Sequence, residues 1–178
     1  MSGSRSACAG AWSIARAYVT VVTGFATMRP AGARLALDIG MNRSHRRVLI
    51  VEDEQCIRDV LVELFETEGV DVSAAASLDY AKWVLGRRTF DLVVTDIRLG
   101  GRRDGGLQVM AAAGMLSPEA SVIALTAFPD DDNRNASLRL GATHFLEKPV
   151  ALERIAELAA RAGVPTAFTP GPPAGPPT

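Results

Sequence analysis

Five polar residues stand where a chain could do chemistry, and each directly follows an apolar run. Glu52 and Asp53 come after Val48-Leu49-Ile50-Val51, and Asp96 closes Asp91-Leu92-Val93-Val94-Thr95. Thr126 ends SVIALT at 121–126, and Lys148 follows the short run His144–Glu147. Clustered carboxylates repel one another, which destabilises a fold unless a cation sits among them. The donors are hard oxygens with no His or Cys beside them, a set that suits Mg²⁺. An ammonium and a hydroxyl next to such an ion can hold the oxygens of an anion. Together they describe phosphoryl transfer, in which positioning and charge neutralisation do most of the work. No Ser or Cys is offered as nucleophile, but a carboxylate is, and aspartyl phosphates are a known covalent intermediate.

The elements that must position these groups are legible as a pattern. Val48–Val51 is a short apolar strand of the kind covered on both faces. Ile57, Val60, Leu61 and Leu64 follow at helical spacing up to Gly69. Val70–Ala75 is a weaker strand, and Leu78–Leu85 a helix with Ser77 as N-cap and Gly86 at its end. Asp91–Thr95 is a third strand, followed by a Gly-rich loop to Gly106 and a helix over Leu107–Met115. Ser121–Thr126 and His144–Glu147 are strands, with helices over Asp132–Leu140 and Val150–Ala162. The Asp130-Asp131-Asp132 run reads as the solvated start of a helix. Five strands alternating with five helices require a parallel sheet with right-handed crossovers and helices on both faces. Ligands of such sheets sit beyond the carboxyl ends of the strands, where the five polar residues stand.

Composition narrows the function. Hydrophobic residues make up 48% and charged residues 22% of the 178, the balance of a globular chain. The formal net charge is −1, but residues 1–47 hold seven arginines against one aspartate, so the remainder is net acidic. An acidic body gains little from phosphate backbones, so no direct nucleic-acid role is expected. No apolar run reaches the length of a bilayer span, so no membrane role is expected. Cys8 and Cys56 are too few for a disulfide scaffold, and with two histidines they form no recognisable zinc site. A reducing cytoplasm is the default location. Residues 1–46 lack periodicity and read as a disordered or mis-annotated extension, with Met41 an alternative start. The folded domain is expected over 47–163. Residues 164–178, mostly Pro and Gly with little to bury, read as a disordered tail.

The ordered set of motifs resembles the receiver domain of two-component response regulators. The residues that carry the likeness are VLIVEDE at 48–54, DLVVTDIRL at 91–99, DGG at 104–106, VIALTA at 122–127 and GATHFLEKP at 141–149. Any one is weak alone, since a lone acid after a strand can simply cap the next helix. All five in order, with 43 residues from Asp53 to Asp96, 30 on to Thr126 and 22 on to Lys148, are specific. The resemblance implies a flavodoxin-like (βα)5 fold, a doubly wound parallel sheet of order 2-1-3-4-5.

By the same resemblance Asp96 is the phosphoacceptor. Asp53 binds Mg²⁺ directly, Glu52 assists, and the backbone carbonyl of Arg98 joins them as a ligand. Thr126 is the switch hydroxyl, and Lys148, next to a cis Pro149, pairs with phosphoryl oxygens. Phe145 takes the aromatic switch position. The resemblance implies a stand-alone receiver, charged by a sensor histidine kinase or a histidine phosphotransfer protein. It would signal to an unknown downstream protein through helix 4, strand 5 and helix 5, and would not be a turnover enzyme. Two departures stand out. Gly100 replaces the usual Pro four residues after Asp96, and the loop GGRRD is one residue longer, which predicts greater mobility there. Bulky Arg98 and Phe128 flank the site and predict slow loss of phosphate. An aspartate-nucleophile Mg²⁺ phosphatase is the main enzymatic alternative, but it needs an acid where Arg98 stands. A flavin or nucleotide module needs a Gly-rich loop where Glu52-Asp53-Glu54 stands. A phosphate-independent interaction module would have no use for the full set of site residues.

Overall fold

The computed structural model describes residues 45–168. Ten elements alternate along them: β1 (Arg46–Val51), α1 (Gln55–Phe65), β2 (Val70–Ala75), α2 (Leu78–Leu85), β3 (Leu92–Asp96), α3 (Gly105–Leu116), β4 (Ser121–Thr126), α4 (Asp131–Arg139), β5 (His144–Glu147) and α5 (Leu152–Arg161). The strands form one parallel sheet in the order β2-β1-β3-β4-β5. This is the flavodoxin-like architecture that the motifs implied.

The central strands are apolar on both faces because both are covered. Every residue of Val48–Val51 and Leu92–Val94 is fully buried. Successive strand residues point to opposite faces. Leu49, Val51 and Val93 therefore join a core with Leu78, Val84 and Leu85 of α2 and Val109, Met110 and Ala113 of α3. Val48, Ile50 and Val94 turn the other way, toward the face closed by Leu61 and Phe65 of α1 and Ile155 and Leu158 of α5. Truncating a fully buried side chain such as Leu61 or Ile155 to Ala costs about 2–5 kcal/mol.

Helix ends follow their sequence signals. Ser77 caps α2 by accepting from the Tyr80 N–H, and Asp130 caps α4 by accepting from the Asn133 N–H. α5 closes with Gly163 at φ +71, its N–H donating to Ala160 O while the Val164 N–H reaches Ala159 O. That pair of bonds is a Schellman cap, which needs the left-handed conformation glycine allows.

The structure moves several expected boundaries, most of them by one or two residues. β1 starts at Arg46, because the Arg46 and Arg47 backbone bonds to Gly69 and Asp91 extend the ladder. β3 runs on to include Asp96, whose residue pairs with Leu125. α3 begins at Gly105, two residues early, and α5 begins only at Leu152, after the cis Lys148–Pro149 bond. The expected start of the tail at 164 is also too early. Val164 is buried, and the Ala167 N–H donates to Leu64 O at the end of α1, so the folded part continues past 163. The expected extension over 1–46 lies outside the described residues except for its last two, and so does 169–178 of the tail.

Candidate functional site

The apolar strands deliver their polar ends to one edge. β1 and β3 are neighbours with Val51 opposite Thr95, so Glu52, Asp53 and Asp96 leave the sheet side by side. One oxygen of each of these three acids lies within 4.8 Å of the others. Lys148 enters from the far side of β4, where its N–H bonds to Thr126 O at 2.7 Å. Its ammonium Nζ donates to Glu52 Oε2 at 2.7 Å and to Asp96 Oδ2 at 2.9 Å.

Each acid has its own surroundings. Glu52 is 1% exposed, and the Glu54 N–H makes a long 3.4 Å approach to its second oxygen. Burial pushes the Glu52 carboxyl above its ordinary pKa, more than the bond and charge of Lys148 pull it down, and the charge of Asp96 adds to the rise. Burial alone would push the Lys148 ammonium down, but its bonds and charge pairing with Glu52 and Asp96 outweigh this and hold it protonated. Lys148 thus stays charged, while the Glu52 carboxyl takes up a proton more readily than an ordinary carboxylate. Asp96 is nearly buried and also accepts from the Arg98 N–H at 3.2 Å. Asp53 is exposed and reaches no cation among the described residues; its Oδ2 accepts from the Gly100 N–H at 3.0 Å.

Three carboxylates and one ammonium leave an excess of two negative charges when all are ionised. A divalent cation would neutralise them, and the all-oxygen donor set fits Mg²⁺. The residues present thus suit the ion that the sequence implied.

Thr126 is buried, and its Oγ1 accepts from the Phe128 N–H at 3.1 Å. The Arg98 guanidinium lies over the Phe128 ring, 4.5 Å from its centroid, so the two flanking residues meet at the site's rim. Phe145 is not part of the pocket. It sits half-buried in β5 against the α2–α3 core, with the Arg134 guanidinium 5.7 Å from its ring centroid.

Sequence reasoning missed several supports. Arg58 donates to the carbonyls of Glu52 at 2.8 Å and Asp53 at 3.2 Å, fixing the turn that carries both acids. A lone Arg one turn into α1 carries no sequence signal of this. Gly106 lies so close to the phosphoacceptor candidate that a Cβ there would come within 2.1 Å of Asp96 O. A Cβ on Gly105 would meet Leu99 Cβ at 2.8 Å. The paired glycines were the available signal, since Gly is the default residue where backbone approaches closely. The loop GGRRD at 100–104, for which the sequence predicts greater mobility, begins within a two-residue turn. In that turn Leu99 and Arg102 each donate a backbone N–H to the other's carbonyl.

Known proteins place this arrangement. A family model for the response regulator receiver domain matches residues 48–160. The response regulator protein PilR of Pseudomonas aeruginosa is 37% identical over 120 residues, covering 67% of this chain and 26% of PilR. The alginate biosynthesis transcriptional regulatory protein AlgB of the same organism is 34% identical over 115 residues, 65% of this chain and 25% of AlgB. The chain thus spans about a quarter of the length of these curated relatives. Among solved structures, a CheY-like receiver domain protein from Methanospirillum hungatei superimposes with a TM-score of 0.62 at 28% identity, covering 67% of this chain and 95% of that one. A response regulator from Burkholderia pseudomallei, solved with a phosphorylated aspartic acid and a calcium ion, gives 0.58 at 27% identity over 66% and 69%. No helix among the described residues is long and apolar enough to cross a membrane. With the matched span, the strand order and the acid cluster in agreement, the chain belongs to the response regulator receiver domain family.

Proposed function

We propose that this chain is a Mg²⁺-dependent phosphoreceiver in which Asp96 accepts a phosphoryl group from a phosphohistidine of a sensor histidine kinase or histidine phosphotransfer protein. The observation that carries the reading is the bridge from Lys148 to both Glu52 and Asp96, with Asp53 beside them. An ammonium already bonded to the acceptor carboxylate is placed to follow the oxygens of an incoming phosphoryl group. An Asp96 carboxylate oxygen attacks phosphorus in line, the P–N bond breaks, and the imidazole leaves with its electron pair and takes a proton. Glu52, Asp53, Asp96 and the Arg98 carbonyl would hold Mg²⁺, which offsets charge on the acids and on the phosphoryl oxygens. The related Burkholderia pseudomallei structure with a phosphorylated aspartic acid supports this chemistry for the fold.

The Thr126 hydroxyl, now bonded to the Phe128 amide, would turn toward the new phosphoryl group. That movement at the end of β4 biases a face made of α4, β5 and α5, with Phe145 reporting the change. Hydrolysis of the acyl phosphate resets it, so the domain works as a cytoplasmic switch and not as a turnover enzyme. Its output is a protein partner, in keeping with the net acidity of the residues after 47. The test is labelling by acetyl phosphate with Mg²⁺. Wild type incorporates one phosphoryl group and Asp96→Asn none; equal labelling of the two would falsify the assignment.

A further inference from the structure

The loop between β3 and α3 is where this chain departs from its family's pattern, and the departure reaches the acid cluster. Leu99 and Arg102 exchange backbone bonds of 3.1 and 3.0 Å around Gly100 and Gly101. Both glycines have positive φ, +58 and +77, the signature of a type I′ turn. A Cβ at either would meet nothing within 4 Å, so the demand for glycine is conformational and not steric. The turn aims the Gly100 N–H at Asp53 Oδ2, 3.0 Å away. Proline, usual at this position in the family, has no N–H and cannot reach φ +58. Exchanging it for glycine therefore adds a donor beside the metal-site acid.

We propose that the Gly100 amide is a positioning group for the divalent ion: by engaging one oxygen of Asp53 it turns the other toward Glu52 and Asp96. The inference rests on the Mg²⁺ reading above. Asp53 is the exposed member of the cluster and the one without a cation, so its carboxylate is otherwise free to rotate. Outer partners that orient metal ligands typically account for 10–100-fold in metal affinity. The linkage is reciprocal, so an ion that fixes Asp53 also fixes the turn.

The test is an amide-to-ester replacement at residue 100 of the full chain, assembled by ligation with glycolic acid, which removes the N–H and keeps the backbone. Mg²⁺ affinity is read by calorimetry, with no phosphodonor present. The expected result is about tenfold weaker binding than wild type, the low end of that range. The same replacement at residue 101, whose N–H does not contact Asp53, leaves affinity within about twofold. Gly100→Pro with deletion of Gly101, which restores the family's commoner loop, shows the same tenfold loss. In wild type, the Gly100 amide exchanges more slowly with solvent once Mg²⁺ is added. Unchanged affinity in the residue-100 ester overturns the proposal, as does an equal loss in both esters, which would make the turn merely structural. Wild type that binds no Mg²⁺ at all would instead sink the underlying metal reading.

Discussion

Replacing Lys148 with Met keeps a long apolar stem and removes the ammonium that joins Glu52 to Asp96. Breaking a buried pair by removing one partner costs about 3–5 kcal/mol, because the charge left behind is uncompensated. Glu52 is 1% exposed on its side chain and Lys148 11%, so little solvent screens the loss. Asp96 keeps some exposure and Glu52 can take up a proton, so we expect the low end, about 3 kcal/mol. In a domain of this size about 1 kcal/mol moves the melting temperature by roughly 4 °C. Metal-free Lys148→Met should therefore melt about 12 °C below wild type, read by circular dichroism in EDTA. Under the proposed reading Lys148 and a divalent ion would compete for the same carboxylates, so saturating Mg²⁺ should raise the variant's melting temperature by more than it raises wild type's. Labelling by acetyl phosphate should stay depressed even with Mg²⁺ saturating, because nothing replaces the ammonium on the phosphoryl oxygens. A metal-free melting temperature equal to wild type's, or a smaller Mg²⁺ increment in the variant, would refute the reasoning.

Glu52→Gln tests the direction of the Glu52 shift. A carboxyl whose pKa is raised on folding favours the fold below its unfolded pKa and loses that benefit as pH rises through the folded value. Without metal, the variant should therefore be more stable than wild type at pH 8 and gain little or nothing at pH 4; melting curves at both pH values decide it. Gly106→Ala must push the added Cβ away from Asp96 O, because 2.1 Å is no possible contact. Overpacking of this kind costs about 1–3 kcal/mol; urea unfolding and slower acetyl phosphate labelling should both report it, and normal values of both would count against the close approach. Arg98→Ala uncovers the rim where the guanidinium meets Phe128. Loss of labelled phosphate, followed after removal of the donor, should then be faster than in wild type, and an unchanged rate would show that the pair does not hinder water.

The sequence revealed the parts whose signal is local. Apolar runs such as Val48–Val51 announce strands buried on both faces, and the acid or hydroxyl after each run must then stand at the sheet's carboxyl edge. The spacing of Asp53, Asp96, Thr126 and Lys148 could therefore be read before any coordinates, and the structure does bring Asp53, Asp96 and Lys148 to one edge with Glu52. Long-range bonds could not be read in this way. The Arg58 bonds to the turn, the Gly100 contact with Asp53 and the fit of Gly106 against Asp96 each join segments through space. Boundaries slipped for the same reason. Gly105 and Gly106 look like loop by propensity, yet packing against Leu99 and Asp96 draws them into α3. Pro165 and its neighbours look solvated, yet Ala167 finds the last turn of α1.

That last contact determines where the described chain leaves the fold. α1 starts next to Glu52 and Asp53 and runs away from them for about 15 Å before Leu64, in its last turn, meets Ala167. Phe168 therefore departs from the end of the sheet opposite the acids. A fluorophore or surface anchor attached there would leave the acid-lined edge open to an incoming kinase, which makes this end the natural handle for immobilising the protein.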